Sequence, residues 1–226
     1  MKIYNFHNPF DYRFAVGGRR GKWTPSEGLC PTCGASSEVR AQPLLLAWEP
    51  GSDEIGDFTW PGVDSDVVAT DAALDVLKPF PGFEPGPVEF VEDVPAPKKR
   101  AKRVVLPYTG PRLHELWVTT WVNIDRDRSS VELEHECPTC GRQRWALYGV
   151  EEWHGHYDRD LGRYIRVKSE RFPNAGMFLC ERDLQGAGIF RVHEFPGPVF
   201  CTEDVRDAVV EAGLSNVSFL EVGDTF

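Results

Sequence analysis

Cys30-Pro31-Thr32-Cys33-Gly34 and Cys137-Pro138-Thr139-Cys140-Gly141 are two copies of one pentapeptide. Two thiolates in a C-x2-C turn face one side of the backbone, and the glycine after the second Cys permits the positive φ that aims backbone N–H groups at sulfur. One such turn supplies half of a tetrahedron. Two copies in one chain therefore predict a single closed site made by Cys30, Cys33, Cys137 and Cys140, with 103 residues between the knuckles. Four thiolates leave no position for water or substrate, so the expected role is structural and the expected ion is zinc. Iron is chemically possible at the same knuckles.

Other readings of these cysteines are open. A redox C-x2-C places its first Cys at a helix N-terminus after a strand, and neither glycine is followed by a helical pattern. Disulfides between the copies fit an oxidising compartment, not the cytoplasm. His135 stands two residues before Cys137 and could replace a Cys, although in Val131-Glu132-Leu133-Glu134-His135 it reads as the outward side of a strand. Cys180 and Cys201 lie among apolar residues and read as buried free thiols.

Outward from the knuckles, a second repeat emerges. Val67-Val68-Ala69-Thr70 leads into Asp71–Leu77, and Val88-Glu89-Phe90-Val91-Glu92 follows. In the second half Val199-Phe200-Cys201-Thr202 leads into Glu203-Asp204-Val205-Arg206-Asp207-Ala208-Val209, and Val217-Ser218-Phe219-Leu220-Glu221 follows. Each copy reads as strand, Thr N-cap with acids in the first turn, short helix, and closing strand. Trp60-Pro61-Gly62 and Phe195-Pro196-Gly197 precede the two copies.

The knuckles are 107 residues apart and Thr70 and Thr202 are 132 apart, so the second half carries about 25 extra residues. These fit a hairpin insertion at 145–170 with strands near 145–150 and 164–167. A second hairpin, 113–124 with 131–135 around Asp125-Arg126-Asp127-Arg128-Ser129-Ser130, is expected to feed the Cys turn. The predicted fold is α+β, mostly β with a few short helices. Two related halves, 1–93 and 104–226, flank a Pro-rich then basic linker at 94–103 and join at a zinc-ribbon-like four-cysteine site, giving one composite domain.

The chain has 226 residues, with Lys+Arg 25 against Asp+Glu 35 and a formal charge of −10. Four thiolates and a zinc ion would take that to about −12. Its start has no long apolar stretch of the signal-peptide kind, and its longest apolar run is Leu44-Leu45-Leu46-Ala47-Trp48, so a cytoplasmic protein outside the membrane is expected. The negative balance works against direct nucleic-acid binding. Residues 41–97 hold twelve acids against Lys78 alone, a field that suits a basic partner. Asp53, Glu54, Asp57, Asp64 and Asp66 are the candidate contacts.

No enzyme is expected. Glu151-Glu152-Trp153-His154-Gly155-His156 lacks the helical spacing of a metalloprotease, Gly186-Ala187-Gly188 is too short for a phosphate loop, and no nucleophile-elbow, Walker or dinucleotide pattern occurs. A zinc-ribbon regulatory or scaffold protein is the alternative to the reading that follows.

With the paired knuckles, the segments Gly186-Ala187-Gly188-Ile189-Phe190-Arg191-Val192, Phe195-Pro196-Gly197, Cys201-Thr202-Glu203-Asp204-Val205, Gly213-Leu214-Ser215-Asn216-Val217-Ser218-Phe219 and Glu221-Val222-Gly223 resemble the double-CxxCG-motif family. That family is expanded in social gliding bacteria. Its members are described as immunity proteins against swarming-inhibition toxins, which are lipoprotein-borne and pass between cells by contact. The C-terminal strand–helix–strand is also similar to that of other polymorphic-toxin immunity proteins. The likeness covers 30–34 and about 137–226 and is weak over 36–135. It implies that Cys30, Cys33, Cys137 and Cys140 are the two family motifs, and that the chain neutralises a cognate protein toxin by occlusion. It names no catalytic residue. The acid excess fits a toxin that is a basic nuclease.

Overall fold

The computed structural model describes residues 1–20, 30–34, 43–61, 65–92, 102–150 and 171–226, and the backbone of four short strands at 24–25, 38–39, 156–158 and 163–165. In the first half these form β1 (Lys2–His7), β2 (Gly17–Arg20), β3 (Thr24–Pro25), β4 (Glu38–Val39), β5 (Leu44–Trp48), β6 (Phe58–Thr59), β7 (Val68–Thr70), α1 (Asp71–Leu77) and β8 (Phe83–Phe90). The second half holds β9 (Leu113–Val118), β10 (Trp121–Val122), β11 (Val131–Glu136), β12 (Gln143–Leu147), β13 (His156–Asp158), β14 (Arg163–Ile165) and β15 (Met177–Leu179). A 3-10 turn (Glu181–Leu184), β16 (Ile189–Val192), β17 (Phe195–Thr202), α2 (Glu203–Glu211) and β18 (Ser218–Thr225) complete it. The fold is α+β and mostly β, as the sequence predicts. Among the described residues no helix is long and apolar enough to cross a membrane.

Two six-stranded sheets form the body, in the orders β2-β5-β8-β9-β7-β6 and β10-β16-β17-β1-β18-β15. Five strands correspond one to one. In the first sheet β9 lies antiparallel between β7 and β8, β6 flanks β7 antiparallel, and β5 runs parallel to β8. In the second, β1 lies antiparallel between β17 and β18, β16 flanks β17 antiparallel, and β15 runs parallel to β18. The strand at the centre of each sheet comes from the other half of the chain. The expected division at 94–103 therefore separates sequence copies but not sheets, because β1 leaves the first copy and β9 leaves the second. Residues 94–101 of that linker lie outside the described residues.

Alternation places each strand. Tyr4 and Phe6 of β1 face a central core that also takes Leu116 and Val118 of β9 and both helices, through Ala73, Leu74 and Leu77 and through Val205 and Val209. Ile3, on the opposite face of β1, joins Phe200, Leu220 and Val222 in an outer core. The run Leu44–Trp48 is β5, paired on both edges, and its unbroken apolar character suits a strand buried on both faces. Thr70 caps α1 by accepting the Ala73 N–H at 3.2 Å. Thr202 occupies the same position before α2 but makes no side-chain cap hydrogen bond, so only the first of the two expected caps is formed.

Two hairpin expectations are corrected. Val131–Glu136 pairs with Gln143–Leu147, across the second knuckle, not with Leu113–Val118, which is spoken for by β7 and β8. The strand at 143–147 is thus used by β11, and within the insertion it is His156–Asp158 that pairs with Arg163–Ile165. The knuckle reverses the chain itself, so the polar segment 125–130 need not be a hairpin turn.

Polar ties sew the halves together beside the core. Asp57 accepts hydrogen bonds from the Ser215 N–H and hydroxyl at 2.8 and 2.7 Å, and the Trp60 indole N–H donates to the Asn216 carbonyl at 2.8 Å. Arg191, 7% exposed, donates to the carbonyls of Gly197 and Pro196 and to that of Ser65 across the interface.

Phe6 is 1% exposed and meets Phe58 and Phe219 edge to face at ring distances of 5.0 and 5.4 Å. Phe6→Ala is expected to lower stability by about 3–5 kcal/mol in urea unfolding. Tyr12→Ala, at a side chain 66% exposed, should stay within about 0.5 kcal/mol of the parent.

Candidate metal centre

Each knuckle is the tip of a β-hairpin. Strands β3 and β4 pair around Cys30–Cys33, and β11 and β12 pair around Cys137–Cys140. Both turns close the same way: Gly34 N–H donates to the Cys30 carbonyl and Gly141 N–H to the Cys137 carbonyl, each at 2.9 Å, with φ of +67° and +71° at the glycines. Only glycine takes that conformation without cost, and among the described residues no atom crowds either position.

The two tips meet. The four sulfurs lie within 4.8 Å of one another, with Cys30 to Cys137 at 3.7 Å and Cys33 to Cys140 at 3.6 Å. A metal with four thiolates at about 2.3 Å requires sulfur–sulfur edges of about 3.8 Å, so the set lies close enough to hold one ion. Thr32 and Thr139 share a hydroxyl hydrogen bond of 2.6 Å beside it. In all three cross-knuckle contacts each residue faces its own counterpart 107 positions later, as residues do around a two-fold axis.

Electrostatics makes the site ask for a cation. The backbone N–H groups of Cys140 and Thr139 bring the Cys137 thiol down to about 6, and those of Cys33 and Thr32 lower Cys30. Cys140 moves up to about 12: the Arg142 N–H lowers it, but desolvation and the shared hydrogen bonds with Cys137, Cys33 and Cys30 outweigh that. Sulfurs this close cannot all ionise unless a positive ion sits among them. Cys137 is 1% exposed while Cys33 and Cys140 are exposed, so the site has a buried floor and a solvent side.

The remaining candidates fall elsewhere. His135 is exposed on β11, and the four-sulfur set is complete without it. Cys201 is fully buried, and desolvation raises its thiol pKa, while Cys180 is half-buried. Gly186 and Gly188 follow the 3-10 turn, and a Cβ on Gly188 would meet Phe80 at 2.8 Å, which is a packing reason for glycine. The cluster 151–155 and Asp64 lie outside the described residues.

Of the candidate acidic contacts, Asp53 and Glu54 are exposed, with Asp53 3.6 Å from Lys102. Asp57 is bound to Ser215, and Asp66 is 3% exposed and paired with Arg19 at 2.8 Å. The last two face inward and hold the fold. The hydroxyl pair Thr32–Thr139 was not singled out from the sequence. Its one signal there was the identical place of threonine in the two pentapeptides.

No family model matches the sequence, and no curated protein matches it.

Titration with cobalt(II) is expected to saturate at one ion per chain and to give the absorption of tetrahedral thiolate coordination, with Cys33→Ser or Cys140→Ser weakening binding and lowering the melting temperature. Asp57→Ala should cost about 1–3 kcal/mol in urea unfolding by orphaning the Ser215 groups, and Asp53→Ala less than about 0.5 kcal/mol.

Proposed function

We propose that this protein is a cytoplasmic immunity protein that neutralises a cognate toxin by covering it, with a structural zinc ion at Cys30, Cys33, Cys137 and Cys140. The observation that carries the reading is the closure of the four-sulfur set. A fully thiolate-ligated ion has no open position for water or substrate, so such an ion serves the fold, and the molecule's activity is then affinity for a partner. Zinc suits four thiolates arranged tetrahedrally. When bound, it would offset half of the charge of the four thiolates and tie the two hairpin tips.

The resemblance of the knuckles and of the C-terminal strand–helix–strand to the double-CxxCG-motif family supports a toxin as that partner. The charge of −10 supports a basic one, and a nuclease that grips phosphates is a basic partner of the required kind. Among the described residues of the candidate set Asp53 and Glu54 are the exposed acids, and they are the contacts retained in this proposal.

The test is capture of the product of the adjacent gene by the tagged, metal-loaded protein, followed by protection of cells expressing that product. Co-purification with nanomolar affinity and protection support the reading. Failure of both removes it and favours a zinc-ribbon scaffold with another partner. The double variant Asp53→Lys, Glu54→Lys is expected to slow association about tenfold at low salt and much less at high salt, measured by stopped flow.

A further inference from the structure

Three large apolar side chains reach the surface in one loop. Phe10, Tyr12 and Val16 are all exposed, the two aromatic residues by more than half. Single exposed apolar residues are ordinary, but adjoining ones mark contact surfaces. Phe10 also takes a φ of +52°, a region that disfavours a bulky side chain, and its N–H donates to the Asn8 side-chain oxygen at 2.7 Å. Burial does not offset the cost of that conformation, because the ring stays outside.

The loop is fixed against the turn that carries the exposed acids. The Ala15 N–H donates to the Glu54 carbonyl at 2.6 Å, the Glu49 N–H to the Val16 carbonyl at 2.9 Å, and the Ser52 hydroxyl to the Arg13 carbonyl at 2.5 Å. Exposed rings and the exposed Asp53 and Glu54 thus share one stretch of surface. Segments 8–16 and 49–54 hold Asp11, Glu49, Asp53 and Glu54 against Arg13, and neighbouring Arg20 and Lys102 still leave carboxylates in excess.

The loop borders a cleft of about 290 Å³ lined by Phe10, Tyr12, Phe14 and Trp60, with Asp11 and Glu49. Aromatic walls beside carboxylates suit a guanidinium, which stacks on ring faces and pairs with carboxylate oxygens. Arg13 of the same loop displays that chemistry: its guanidinium lies 5.4 Å from the centre of the Phe14 ring and donates to Asp11 at 2.9 Å.

We propose that this face docks a basic partner protein, with Phe10 and Tyr12 as its aromatic contacts and an arginine side chain of the partner seated in the cleft. The choice of a protein partner rests on the binding role proposed above; the guanidinium chemistry of the cleft does not. Aromatic residues and arginine supply much of the binding energy at protein interfaces, and a carboxylate excess beside them steers a basic partner into contact.

The metal-loaded protein, carrying 3-fluorotyrosine, is titrated with hexa-arginine and with hexalysine at about 0.15 M salt and followed by fluorine NMR. The Tyr12 signal is identified by its loss in Tyr12→Phe. It is expected to shift saturably, with the arginine peptide binding at least about threefold tighter than the lysine peptide. Phe10→Asn removes the ring but keeps a residue suited to the left-handed φ, and should weaken the arginine peptide at least about threefold. Unchanged melting temperature and metal content verify that the variant folds. A Tyr12 signal that does not move, or equal binding of the two peptides, overturns the chemistry assigned to the cleft. With the adjacent gene's product as ligand, Tyr12→Ala is expected to raise Kd at least about tenfold. A captured product whose affinity is indifferent to Tyr12→Ala overturns the docking face. Where no product is captured, the immunity reading falls while the peptide titration still decides the cleft, so the two fail separately.

Discussion

Each sheet is completed at its centre by a strand from the other half of the chain, and the rest of the structure depends on that exchange. With β1 seated between β17 and β18, and β9 between β7 and β8, neither copy can close its own sheet. The central core inherits the same dependence, since Phe6 and Leu116 reach it from exchanged strands and α1 packs against α2 within it. The knuckles then meet as counterparts, Cys30 with Cys137 and Cys33 with Cys140. One ion bound there would close a loop of more than one hundred residues and restrict the unfolded chain as a cross-link does.

Polar ties add to the exchange. Asp57–Ser215, Trp60–Asn216 and Arg191–Ser65 all span the two halves along a partly buried seam. Asp57 belongs to these ties, and Asp66 is held by Arg19 within its own half. Part of the acid excess in residues 41–97 therefore serves the fold, and only carboxylates such as Asp53 and Glu54 remain on the surface for a partner to feel.

The chemistry of the metal site was legible in the sequence because C-x2-C-G encodes its own geometry: turn, sulfur direction and glycine φ are all local. The strand–helix–strand repeat was legible for the same reason, through Thr70, Thr202 and the alternation that follows each helix. Pairing partners were not. Lys2–His7 and Leu113–Val118 are buried on both faces and carry no clean alternation, and an apolar pattern is in any case silent on the neighbour. That silence hid the exchange and misplaced the hairpin before the second knuckle, where the Asp- and Ser-rich segment 125–130 carried turn residues without being the turn that joins β11 to its partner. Burial of single acids was equally invisible, since Asp66 and Asp53 differ in the sequence only by what the fold later puts around them.

The proposed role, binding without catalysis, rests on a closed ligand shell, so the shell itself is the point to examine. Zinc K-edge absorption spectroscopy on the purified protein measures it directly. The account predicts one zinc per chain surrounded by four sulfurs at about 2.3 Å, with no lighter atom in the first shell. An oxygen or nitrogen ligand at about 2.0 Å, or protein that folds fully with no bound metal, would contradict it.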